Sequence, residues 1–97
     1  MVTYEITARV DLPLIDRYER YMREHHIPDV LATGCFQAAA FTRAEPGRYR
    51  IRYEAPTEEA LQQYLSSHAQ RLRADFAANF ASGVELNREV WHWLQGW

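Results

Sequence analysis

An α+β fold with the element order β-α-β-β-α-β, a four-stranded antiparallel sheet carrying its helices on one face, is predicted by three features of the sequence. Strand-like alternation opens the chain. It recurs on both sides of a single tight-turn signature, and two other stretches place apolar residues at helical spacing. At 97 residues the chain is too short to divide its apolar side chains between two cores, so residues 1–97 are expected to form a single domain.

Val2, Tyr4, Ile6, Ala8 and Val10 alternate with Thr3, Glu5, Thr7 and Arg9, the pattern of a half-buried strand. Asp11 as N-cap and Pro13 as an early helical residue then begin a helix with the apolar stripe Leu14, Ile15, Tyr18 and Met22. Its expected span is residues 13–24. It should end at His25-His26-Ile27-Pro28, because a proline pushes the residue before it out of the helical region. The segment from Pro28 to Gly34 reads as a connection with one short helical turn at 29–32.

Residues 35–44 and 48–55 flank Glu45-Pro46-Gly47 and form a β-hairpin. In its second strand Tyr49, Ile51 and Tyr53 share one face, and Arg48, Arg50 and Arg52 the other. Three consecutive alanines blur the first strand; Phe36, Ala38 and Ala40 are placed inward because Gln37 and Arg43 have the opposite parity. Thr57 caps the second helix, and Glu58 and Glu59 lie where the helix dipole favours acids. Its stripe runs through Leu61, Tyr64, Leu65, His68, Leu72, Phe76 and Phe80, with Ser66-Ser67 as a point of division. Residues 84–94 supply the last strand. Two strand-helix-strand halves in one antiparallel sheet make the ferredoxin-like arrangement, which leaves one sheet face without helices.

Composition narrows the function classes. Hydrophobic residues make up 47% and charged residues 25% of the chain, as in a folded globular domain, and 11 basic against 13 acidic residues give a net charge of −2. No global basic field exists to attract nucleic acid or an anionic membrane. Apolar runs are short, and Glu5, Arg9 and Asp11 interrupt the segment where a signal peptide needs its apolar core, so neither a membrane span nor export is expected. Cys35 is the one cysteine. It permits no internal disulfide and no cysteine-cluster metal site, which points to the cytoplasm.

Parity assigns Thr3, Glu5, Thr7, Arg9, Gln37, Arg43, Arg48, Arg50, Arg52, Glu85, Glu89, Trp91 and Trp93 to the uncovered face. Arginine and glutamate on neighbouring strands can pair there. Trp91 and Trp93 add an apolar patch of the kind buried in interfaces. The expectation is a homodimer with sheets face to face, its interface including Trp91, Trp93, Arg50, Arg52 and Glu89. RNA recognition on this face would need exposed aromatics on the central strands. Tyr49 and Tyr53 instead share the inward parity of Ile51, and Glu5, Glu85 and Glu89 would repel phosphates.

Arg88 stands out on the inward side of the last strand, among Val84, Leu86, Val90 and Leu94. A guanidinium facing the helices is costly unless it is paired or reaches solvent at a cleft. One reading is a structural ion pair with Glu24 or Asp75. The other has its planar fork holding an anionic or carbonyl group of a small ligand. His25 and His26 sit near a helix end and His68 on the inner stripe, able to act as acid or base or to satisfy helix-terminal carbonyls. No pair has metal-site spacing, so no metal is expected. No nucleophile is placed for a catalytic triad, and the catalytic residues stay unassigned.

The segment Met22-Arg-Glu-His-His-Ile-Pro-Asp-Val-Leu-Ala-Thr-Gly-Cys-Phe36 resembles the family described as domain of unknown function 4286, with its helix-ending His-Ile-Pro and the later Leu-x-Thr-Gly-x-Phe. The likeness continues at His68-Ala-x-x-Leu72-Arg73 and at Arg88-Glu-Val90, and so spans nearly the whole chain. Gln70 stands where members often have proline, and Asn79 where they often have arginine. The resemblance implies a ferredoxin-like fold similar to dimeric α/β-barrel proteins and no particular activity. Proteins related by fold include cofactor-free monooxygenases, isomerases and ligand sensors.

Two functions of different class are compatible with these residues. The first is a cytoplasmic homodimer that binds a small organic molecule between helices and sheet, in a cleft lined by Arg88, His26, His68, Tyr18, Tyr64, Thr33 and Phe36, and that carries out cofactor-free chemistry there with His26 or His68 moving the proton. The second is a non-enzymatic assembly or interaction module that works through the uncovered sheet with Trp91, Trp93 and Trp97.

Overall fold

The computed structural model describes residues 1–97. Strand β1 (Val2–Val10) is central, with a 3-10 turn (Leu12–Leu14) leading into helix α1 (Ile15–Tyr21), a π-helical turn (Met22–His26) and helix α2 (Ile27–Ala32). The hairpin β2 (Ala38–Glu45) and β3 (Arg48–Ala55) comes next, then helices α3 (Glu58–Ser67) and α4 (Ala69–Asn79) and strand β4 (Val84–His92). The sheet order is β2-β3-β1-β4 with every neighbouring pair antiparallel. This is the ferredoxin-like β-α-β-β-α-β arrangement that the sequence predicts.

Pairing fixes the side-chain facing, because directly opposed residues share a sheet face. Ile6 lies opposite both Ile51 and Arg88, and Tyr4 opposite both Tyr53 and Val90, so these residues look toward the helices. Glu5 lies opposite Arg52 and Glu89, and Thr3 opposite Trp91, on the face without helices. Gly47 makes the hairpin turn with φ 87°, and a Cβ there would stand 2.7 Å from the Val10 carbonyl oxygen. Only glycine meets both conditions.

Three local expectations are corrected. First, the helix does not stop before Pro28. The Ile27 N–H donates to the carbonyl of Met22, five residues back. This wider turn accepts the proline in the first turn of α2, where a missing N–H costs no helical hydrogen bond.

Second, Ala39 and Phe41, not Ala38 and Ala40, face inward: they pair with Tyr53 and Ile51 and pack against the core. Phe36 is buried as expected, but it precedes the regular strand, so its parity does not carry forward. Third, Arg43 pairs with Tyr49 and reaches the helix side, where its Nη1 lies 2.9 Å from Glu19 Oε2.

At the other expected sites Thr57 caps α3, accepting from the Ala60 N–H at 3.1 Å, and the second helix divides at His68. Asp11 makes no side-chain cap bond. The last strand ends at His92 rather than Leu94.

The core is aromatic. Tyr18 is fully buried with its ring 5.0 Å from Tyr49 and 5.8 Å from Phe80, and Tyr64 stands 4.9 Å from Phe36. Such pairs each add roughly 0.5–1.5 kcal/mol beyond simple burial. Glu19 of α1 accepts from the Tyr49 hydroxyl at 2.6 Å and so ties the first helix to β3. That hydrogen bond, ahead of burial, which opposes it, and of Arg43, holds the Glu19 carboxyl below its ordinary range.

Candidate functional site

The helices leave much of the inner face of β4 open: Arg88, Val90 and His92 are exposed, although they point to the helical side. A cleft therefore runs from β4 into the core. Its floor is Tyr4, Ile6, Ile51 and Tyr53 of the sheet, and its far wall is Tyr18, Met22 and His26 of the first helical stretch. Tyr64, Arg73 and Phe76 come from α3 and α4, and Leu86 and Arg88 from β4. The enclosed volume is about 40 Å³, the room of a single water molecule or one small functional group.

Polar groups with nothing to bind converge on this space. The hydroxyls of Tyr18 and Tyr53 and the Nδ1 of His26 are buried without a hydrogen-bond partner. Native interiors leave few such groups orphaned, and each costs about 1–3 kcal/mol of desolvation. Burial pushes both tyrosines well above their ordinary value, so both hydroxyls keep their protons. The Tyr64 hydroxyl is pushed up to about 12, again chiefly by burial. Burial also lowers His26, with Asp29 opposing, Arg88 adding to the effect and Asp75 opposing, so the imidazole is neutral near pH 7. The π-helical turn places His26 here. Such turns recur at functional sites because they rotate one side chain off the regular helical stripe.

Two arginines stand at the mouth. Arg73 donates from Nη2 to the Tyr4 hydroxyl at 2.9 Å. Arg88 has no ion pair with Glu24 or Asp75, nor with any other acid, and makes no side-chain hydrogen bond. The structural-pair reading of Arg88 is thereby overturned.

The residues singled out from sequence separate into two groups. Arg88, His26, Tyr18 and Tyr64 come together in the cleft. Thr33 and His68 do not line it. Thr33 closes the end of α2, its hydroxyl donating to the Val30 carbonyl at 2.7 Å and accepting from the Cys35 N–H. His68 is the hinge between α3 and α4, its ring 6.5 Å from Tyr64. Phe36 packs behind Tyr64 without lining the cleft. Sequence reading missed Tyr4, Tyr53 and Arg73. The two tyrosines have core parity, and only coordinates reveal which core hydroxyls are unpartnered.

On the opposite face the twisted sheet holds a shallow depression of about 620 Å³ floored by Glu5, Thr7, Arg9, Arg48, Arg50 and Glu85. Glu5 is 9% exposed, with Arg52 Nε 3.3 Å and Arg50 Nε 3.8 Å from its carboxylate; the Arg52 Nε is not aimed well enough for a hydrogen bond. Trp91 and Trp93 are 50% and 49% exposed. Trp93 Nε1 donates to the Thr3 hydroxyl at 2.9 Å, and Thr3 in turn donates to Glu54. No three His, Cys, Asp or Glu side chains meet in a way that could hold a metal ion, and no helix is long and apolar enough to cross a membrane.

Residues 1–92 match the family described as Domain of unknown function (DUF4286). The chain belongs to that family. No curated protein matches this sequence. Among solved structures, the family member is similar to a Nitrosomonas europaea protein provisionally named an antibiotic biosynthesis monooxygenase, with 12% identity, TM-score 0.72 and coverage of 98% of this chain and 100% of the other. A Deinococcus radiodurans protein of the same provisional name gives 14% identity, TM-score 0.72 and coverage of 99% and 95%. A de novo designed protein with a ferredoxin fold gives 18% identity, TM-score 0.53 and coverage of 100% and 92%. At such identities the likeness is one of fold, and a designed chain shares it as well as natural ones.

Proposed function

We propose that this DUF4286 member is a cytoplasmic homodimer that binds a small organic molecule in the cleft between its helices and sheet, and acts on it without a cofactor. The observation that carries the reading is the convergence of the orphaned Tyr18, Tyr53 and His26 atoms with an unpaired Arg88. A fold needing only a filled core would bury phenylalanine at these positions at no desolvation cost. The ligand's polar head enters the small enclosed space, and its body rests along the open inner face of β4. Arg88 orients the head. His26, neutral and with Nδ1 free, accepts a proton from an acidic C–H or O–H of the ligand. The names carried by the fold neighbours favour oxygenation chemistry as the class to assay first.

The exposed Trp91 and Trp93 of the uncovered face support the dimer, and the same face is the basis of the alternative, an interaction module with no chemistry. Arginines gather on β3 and glutamates on β4, at opposite sides of β1. A twofold-related copy brings opposite charges together around the exposed indoles. The cleft reading is tested at Arg88→Ala. Loss of ligand-induced thermal stabilisation with an unchanged fold supports the cleft, and an unchanged stabilisation rejects the assignment of Arg88 to it.

A further inference from the structure

We infer that the occupant of the cleft is a small organic carboxylate, an inference that rests on the ligand-cleft reading and names the chemical class of its ligand. The argument is an inventory of donors and acceptors. Arg73 and Arg88 carry donors only. Tyr4 uses its oxygen to accept from Arg73, which leaves its own proton to give. Tyr18 and Tyr53 hold buried hydroxyl protons with no acceptor within reach. Of the side chains lining the cleft, none is an Asp, Glu, Asn or Gln. His26 Nδ1 is the one nitrogen acceptor in the lining; hydrogen-bond donors otherwise dominate it, and its two guanidinium charges have no counter-charge there. Asp29 and Asp75 act on His26 from outside it.

An occupant that completes this site supplies acceptor oxygens and a negative charge. A carboxylate has two oxygens with four acceptor positions in one plane, which suits the fork of Arg88 on one side and two phenol hydroxyls on the other. Its size suits an enclosed volume of about 40 Å³. A tetrahedral phosphate would turn further charged oxygens toward Ile6, Ile51, Met22 and Phe76, where nothing binds them. The apolar body of a carboxylic acid continues past Leu86 along the open inner face of β4 to solvent.

The test uses benzoate, its uncharged isostere benzamide and inorganic phosphate, titrated into the whole protein by calorimetry and by observing tyrosine, tryptophan and arginine side-chain resonances. Benzoate is expected to bind at least about tenfold more tightly than benzamide, to shift Tyr18, Tyr53 and Arg88, and to lose this preference in Arg88→Met, with phosphate leaving the cleft unmoved. Equal or tighter binding of benzamide at the same resonances overturns the carboxylate assignment and leaves the cleft reading standing, as does phosphate displacing benzoate. Failure of all three probes to move the cleft tyrosines, or shifts confined to Trp91 and Arg50, overturns both. If Arg88→Met fails to fold, Tyr53→Phe replaces it with the same expectation of a reduced preference.

Discussion

Arg73 of α4 and Tyr4 of β1, 69 residues apart in sequence, meet across the mouth of the cleft in a hydrogen bond of 2.9 Å. The bond fastens the last helix to the central strand and holds one guanidinium over the cavity. Tyr4→Phe deletes it without altering the packed ring, which lies against Phe36 and Tyr64. Urea unfolding is expected to show a loss of about 0.5–1.5 kcal/mol, the usual net worth of such a bond. No change in the unfolding midpoint would mean that the bond is not held in solution.

The same substitution on the neighbouring strand has the opposite sign. Tyr53 pairs with Tyr4 in the sheet, yet its hydroxyl is buried with no partner. Removing it relieves a desolvation cost, so Tyr53→Phe is expected to stabilise the ligand-free protein by about 1 kcal/mol while weakening ligand binding. Thermal melting with and without benzoate checks both halves, and a destabilised ligand-free variant would show that the hydroxyl is already satisfied.

His26 gives the protein a pH dependence of known direction. Its folded value is depressed below the ordinary 6.5, so as pH falls through that region the unfolded chain takes up a proton that the folded chain resists. Stability contributed by the neutral imidazole is present above about 6.5 and is lost as pH drops toward the folded value. Arg88 strengthens this resistance; Asp29 and Asp75 weaken it. Chemical unfolding at a series of pH values between about 5 and 8 should show a decline that His26→Gln removes. An unaltered pH profile in the variant would assign the decline to other groups.

On the other face, Trp91→Ala combined with Trp93→Ala is expected to convert a dimer into a monomer in sedimentation velocity at micromolar concentration, with the far-ultraviolet dichroism of the sheet retained. Buried aromatic anchors each contribute about 2 kcal/mol or more to such interfaces. An intact dimer would move the interface elsewhere.

The parts of this structure legible in the sequence are those where polarity alternates. The alternation of arginine with Tyr49, Ile51 and Tyr53 over residues 48–53 and the capping threonine at 57 each have one physical solution, and the structure has it. Residues 38–40 are alanines, which carry no polarity, so their facing could be decided only by the pairing of Ala39 with Tyr53. Pro28 misled in another way. The rule that a helix stops before proline assumes α-helical spacing, and the π-helical turn at 22–26 evades it. The site was half legible. Arg88 announced itself as a charge at an apolar parity, and His26 as a titratable group in the family motif. Tyr53 looked like ordinary core, because an unmet hydrogen bond is a property of neighbours distant in sequence.

The most direct measurement is a crystal structure of the protein grown with benzoate. Electron density for the carboxylate between the Arg88 guanidinium and the hydroxyls of Tyr18 and Tyr53 is the expected result. An empty cleft, with Arg88 turned onto Glu24 or Asp75 and water satisfying the two tyrosines, would contradict it.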